Sequence, residues 1–148
     1  MIAKRITADF ENKTVEGIGA IKIAYPTSGG YKHGLGSEPQ WKAGLDDALF
    51  MSRRGGSGRG RALDTHILAK RIDAPFVVVD NRTGEIVVSG EAGDHLVMSV
   101  TGKYDYGGVN GGTPKSGWYN SGLKLRVVKS GSEEAVDLDK AAKKALRA

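Results

Sequence analysis

The sequence predicts an α+β domain: an antiparallel sheet of about five strands packed with one main α-helix, plus a short C-terminal helix and long glycine-rich loops. Three observations carry this. Several stretches alternate apolar and polar residues with period two. One stretch repeats apolar residues at helical spacing behind a capping signal. Glycine is in excess, 22 of 148 residues against 4 prolines. Such an excess implies many turns and argues against a helical bundle. The length suits a single domain, 1–148, with no internal repeat and no break in composition.

Residues 1–12 carry two patterns. Ile2, Ile6 and Phe10 recur at helical spacing, while Lys4, Arg5 and Thr7 suit an edge strand or an N-terminal arm. Val15–Tyr25 is expected as the first strand, since Val15, Ile21, Ile23 and Tyr25 share odd positions against Glu16 and Lys22. Gly17 and Gly19 point to a bulge inside it, and Pro26 ends it. Ser37-Glu38-Pro39-Gln40 reads as a capping box with proline in the first turn. Trp41, Leu45, Ala48 and Leu49 then form one apolar stripe. Arg53 and Arg54 fall at the negative pole and Gly55 supplies a stop, so the main helix is expected over Ser37–Arg54.

Asp64–Ile72 fits either a short helix capped by Asp64 or a strand. Phe76–Asp80, Glu85–Ser89 and Leu96–Thr101 read as three strands of an antiparallel meander, joined by the turns at Asn81–Gly84 and Gly90–Asp94. Leu123–Val128 alternates once more. Ser132 caps a last helix or arm within 131–148. Its acids Glu133, Glu134, Asp137 and Asp139 come first and its bases Lys140, Lys143, Lys144 and Arg147 last, as the helix dipole favours. Its apolar face is thin.

Two stretches stand out chemically. Met51–Leu63 holds Arg53, Arg54, Arg59 and Arg61 with no acid among them, spaced by glycines. Lys103–Gly122 holds Tyr104, Tyr106, Lys115, Trp118 and Tyr119 around a glycine run. Guanidinium groups fork onto phosphate oxygens, glycines let backbone N–H groups approach, and aromatic rings offer faces on which bases stack. These nine residues are the candidate polyanion- or partner-binding set. The net charge of +5 and a pI near 9.5 favour an acidic partner: nucleic acid, phosphorylated ligands or an acidic protein face, with a neighbouring subunit as the other contact open to the arginine stretch.

Catalytic signals are weak. No cysteine is present, which excludes a disulfide framework and a thiolate metal site. His33, His66 and His95 are far apart and have no metal-ligand spacing. Tyr31-Lys32-His33-Gly34 has no companion glutamate on a later strand. Lys115-Ser116 follows glycines, but Pro114 stands where a phosphate-cradling loop requires glycine. No catalytic residue, metal or cofactor is assigned.

The expected function is therefore non-catalytic: a binding or structural subunit of a viral-particle-like or nucleoprotein assembly, homo-oligomeric or part of a larger complex. A stand-alone nucleic-acid- or nucleotide-binding module is the alternative, as is a small basic ribonuclease-type enzyme. No apolar run approaches the ~18 residues of a membrane span, and Met1–Phe10 lacks the apolar core of a signal peptide. Cytoplasmic or particle-packaged residence is expected.

Overall fold

The computed structural model describes residues 3–21, 41–43, 47–57, 61–106, 116–120 and 122–146, without the side chains of residues 42, 52–64 and 102–121. Among the described residues the protein is mostly β-sheet, in two sheets, with a single α-helix near the C-terminus. This overturns the expected sheet packed with one main helix.

The first sheet is built from β1 (Lys4–Asp9), β2 (Thr14–Val15), β3 (Gly19–Ala20), β7 (Phe76–Asp80) and β8 (Ile86–Gly90), in the order β3-β2-β1-β7-β8. The second contains β4 (Lys42–Ala43), β5 (Leu49–Ser57), β6 (Arg61–Arg71), β9 (His95–Tyr106), β10 (Ser116–Asn120) and β11 (Lys124–Val128). Its order is β10-β9-β6-β5-β4, and β11 also pairs with β9. Along one edge β9 therefore meets β11 over His95–Ser99 and β10 over Gly102–Tyr106.

The expected helix over Ser37–Arg54 is absent wherever its residues are described. Lys42–Ala43 is a strand, Asp47 has φ 61°, and Leu49–Ser57 runs as β5, paired with β6 from Leu49↔Ala69 to Ser57↔Arg61. A left-handed residue cannot continue a right-handed helix. Ser37–Gln40 and Leu45 lie outside the described residues. The apolar stripe itself is used: Leu49 is buried, and Trp41 packs beside it against the helix that does form. Residues at helical spacing also reach a core from strands separated by a bend.

Other expectations shift for similar reasons. The strand expected over Val15–Tyr25 is broken into β2 and β3 by a turn at Glu16–Ile18, closed by the bond from the Ile18 amide to the Val15 carbonyl. Gly17 and Gly19 have φ of +77° and +140°, which explains why glycine stands there. Tyr25 lies outside the described residues. Lys4–Asp9, whose pattern suits an arm or an edge strand, is instead the central strand of the first sheet and runs parallel to β7, Lys4 opposite Phe76. Of the stretch Asp64–Ile72, all but Ile72 lies in the strand β6. The three-strand meander is not one: β7 and β8 pair as a hairpin, but the chain then crosses to the other sheet to form β9.

Alternation in the middle strands explains the layers. Leu68, Leu96, Met98 and Val100 meet Ile6, Ala8, Val15, Ile18, Phe76 and Val78 in the core between the sheets. The residues between them, Ile67, Ala69 and Val97, turn to the opposite face. There they join Leu49 and Val128 beneath α1 (Glu133–Ala145), which buries Ala135 and Leu138. Ser132 caps α1, its side-chain oxygen accepting from the Ala135 amide at 3.1 Å. The helix is tied by a two-pronged pair from the Arg126 guanidinium to the Glu134 carboxylate, one prong 2.8 Å long. Among the described residues no helix is long and apolar enough to cross a membrane.

Candidate nucleic-acid interface

The two stretches that stand out in the sequence meet in the structure. Arg53 and Arg54 lie on β5, Arg61 on β6, Tyr104 and Tyr106 on β9, and Trp118 and Tyr119 on β10. Arg59 and Lys115 lie outside the described residues. Met51–Leu63 is thus no free loop, because most of it forms the far end of the β5–β6 hairpin. Glycine is poor in isolated strands. Here the ladders to β6 and then to β9 supply the hydrogen bonds that hold an extended backbone.

Register places the residues in cross-strand rows. Gly56, Ala62, Tyr104 and Trp118 form one row. Gly55, Leu63, Lys103 and Tyr119 form the next, followed by Arg54, Asp64, Gly102 and Asn120. Beyond these on one side is the row Arg53, Thr65 and Thr101; on the other is Ser57, Arg61, Asp105 and Gly117. Four strands at ~4.8 Å spacing and five rows at ~3.3 Å rise span roughly 14 Å by 13 Å of sheet. Successive rows belong to opposite faces, so the positions of Arg54, Tyr104 and Trp118 share one face and those of Arg53, Arg61, Lys103 and Tyr119 the other.

Among the described positions of this end, Arg53, Arg54, Arg61 and Lys103 stand with Asp64 and Asp105. As sequence, segments 52–64 and 102–120, which also hold Arg59 and Lys115, carry a net of +4 in a chain of net +5. Lys103, Asp64 and Asp105 are additions to the nine candidates. Lys103 sits between Leu63 and Tyr119, and only the ladder shows it. The register also sets an acid beside two of the bases, Asp64 opposite Arg54 and Asp105 opposite Arg61. The arginine stretch is therefore less starkly cationic than its local sequence suggests.

The patch has a defined inner boundary. Thr65 and Thr101 hydrogen-bond through their hydroxyls at 3.0 Å, bridging β6 and β9. Next to them, Trp41, Met51, Ile67 and Leu138 line a groove of about 310 Å³ at the edge of α1, rimmed by Arg126, Glu134 and Asp137. The Glu134 carboxyl is held below its usual range by the Arg126 guanidinium, and Arg126 is correspondingly held more firmly charged. Those two charges answer each other.

The histidines lie elsewhere. His66 is buried and meets the Phe50 ring edge-on, with centroids 5.5 Å apart. His95 is buried at the opposite end of β9, where its Nε2 approaches Asp139 at 3.3 Å. His33 lies outside the described residues. Among the described residues no three histidine or carboxylate side chains gather as metal ligands would. Comparison of the chain with protein-family models, curated proteins and solved structures finds no match.

Proposed function

We propose that the protein is a non-catalytic, nucleic-acid-binding component of a nucleoprotein or particle-like assembly, in the cytoplasm or packaged within the particle. Its binding surface in this reading is the far end of the β5–β6–β9–β10 ribbon. The observation that carries the reading is the register, which places Arg54 two rows from the Tyr104–Trp118 row, on the same face of the ribbon, with Arg53 and Arg61 on the alternate rows of the other face. Guanidinium groups held on an extended backbone suit a phosphate chain, and aromatic positions one strand away suit unstacked bases. That combination favours a single strand over a duplex, whose bases are already stacked and whose edges lie within grooves.

The test is binding of a labelled single-stranded oligonucleotide across a salt series, for wild type and a variant with Arg53, Arg54, Arg59 and Arg61 all changed to Gln. Every arginine that neutralises a phosphate in wild type should, once replaced, flatten the dependence of log affinity on log salt by ~0.7 on single strands. An unchanged slope would remove the nucleic-acid reading. Light scattering with and without the oligonucleotide tests the assembly part, since a monodisperse monomer under both conditions would contradict it.

A further inference from the structure

We propose that His95 and Asp139 form an acid-sensitive latch that holds α1 on the outer face of the six-stranded sheet, so that protonation of His95 releases the helix. The inference does not depend on what the ribbon binds. His95 is 2% exposed, at the start of β9, in a row with Arg71 of β6 and Val128 of β11. Its Nε2 lies 3.3 Å from Asp139 Oδ1 on α1, while its Nδ1 is buried without a hydrogen-bond partner among the described residues. In the neutral ring, Nε2–H donates to Asp139 and Nδ1 keeps a bare lone pair. A second proton would place an N–H donor at Nδ1, where nothing described accepts it, and burying an unpaired charged donor is costly.

The surrounding charges do not reverse this. Asp139 and, more distantly, Glu134 face the imidazole from α1, Arg71 faces it from β6, and Asp94 immediately precedes it in the β8–β9 turn. The Arg71 guanidinium lies 3.9 Å from the same Asp139 oxygen, and Asp94 is occupied by the Ser130 and Glu91 amides and by Lys129. Burial outweighs the attraction of Asp139 and sets the imidazole below its ordinary value of 6.5. Ala135 and Leu138 are the buried residues of the helix, Ala141, Ala142, Ala145 and Leu146 pack partly buried beside them, and Arg126–Glu134 and Arg71–Asp139 are its further ion pairs to the sheet among the described residues. Release would uncover Leu49, Ala69, Val97 and Val128.

Hydrogen exchange on the full chain tests the latch. Protection of the α1 amides is compared with that of Val77–Val79 in β7 at pH 7.5 and pH 5.0, each corrected for intrinsic rates. In wild type, α1 protection should fall relative to β7 as pH drops, by at most about tenfold per pH unit, the limit for one proton. His95→Gln should abolish the pH dependence. Asp139→Asn removes the charge that favours imidazolium and should enlarge the loss at pH 5.0; it carries the test if the first variant does not fold. Three results would each overturn the proposal: no pH response in wild type, a response retained in His95→Gln, or α1 and β7 losing protection together.

Discussion

Arg61 of β6 stands directly opposite Asp105 of β9, as Arg54 of β5 stands opposite Asp64 of β6. The register thus sets an acid position opposite an arginine position twice, and under the proposed binding mode each acid lowers the positive charge that a phosphate would meet. Changing both acids to Asn should therefore tighten oligonucleotide binding by about 0.2–1 kcal/mol per site, the scale of exposed ion pairs. Titration at low and high salt checks this, and the gain should shrink as salt rises.

Tyr104 and Trp118 share one row, so their contributions can be separated from charge. Replacing either with Ala should weaken single-strand binding by ~1–3 kcal/mol. The salt dependence should stay near that of wild type, because every cation is kept. A change in slope instead of a change in affinity would contradict a stacking role.

Gly90 tests the first sheet. A Cβ built there would lie 2.5 Å and 2.6 Å from two ring atoms of Phe76, its cross-strand partner, which is itself buried. The ring fills the space a side chain would need. Gly90→Ala should destabilise the fold by ~1–3 kcal/mol in urea unfolding, the range for overpacking. Adding Phe76→Leu should cost less than the two single changes together, since the smaller side chain makes room.

Asp94 ties the β8–β9 turn to the start of α1. Its buried carboxylate accepts from the Ser130 amide at 2.8 Å and the Glu91 amide at 2.9 Å, with Lys129 Nζ at 3.3 Å. The Ser130 and then the Glu91 hydrogen bonds lower its pKa below the usual 3.8. A carboxyl whose folded pKa is depressed stabilises the fold above its unfolded pKa, and that contribution fades as pH falls below about 4. Asp94→Asn should cost ~1–3 kcal/mol at pH 7. It should also flatten the loss of stability between pH 4 and pH 2, measured by urea midpoints.

Ser132 gives a local control. Its side chain accepts from the Ala135 amide, so Ser132→Ala should cost ~1 kcal/mol and show first as faster hydrogen exchange in the first turn of α1. β7 should be unaffected below global unfolding.

The elements legible in the sequence are those whose determinants are local. The capped, dipole-ordered α1 begins one residue after Ser132, and β7 spans the expected Phe76–Asp80. β8 and β11 differ from Glu85–Ser89 and Leu123–Val128 by one residue at their ends. In each case capping chemistry, β-branched runs or a tight turn act within a few residues. For the candidate interface the sequence supplies only residue types: the arginines between glycines, and the tyrosines and tryptophan around a glycine run.

What only the tertiary structure decided is partnership. The stripe Trp41, Ala48 and Leu49 suits a helix or a bent pair of strands equally well, and the ladder from β5 to β6 decides for strands. Lys4–Asp9 becomes central only because Phe76–Asp80 arrives beside it in parallel, and β9 leaves the meander because β6 offers it a longer partner. The same ladders bring two separate glycine-rich stretches into one ribbon and set the positions of Asp64 and Asp105 opposite those of Arg54 and Arg61. Strand hydrogen bonds are made between distant segments, so a sequence states which residues can be extended, while the choice of neighbour rests with the packed sheets.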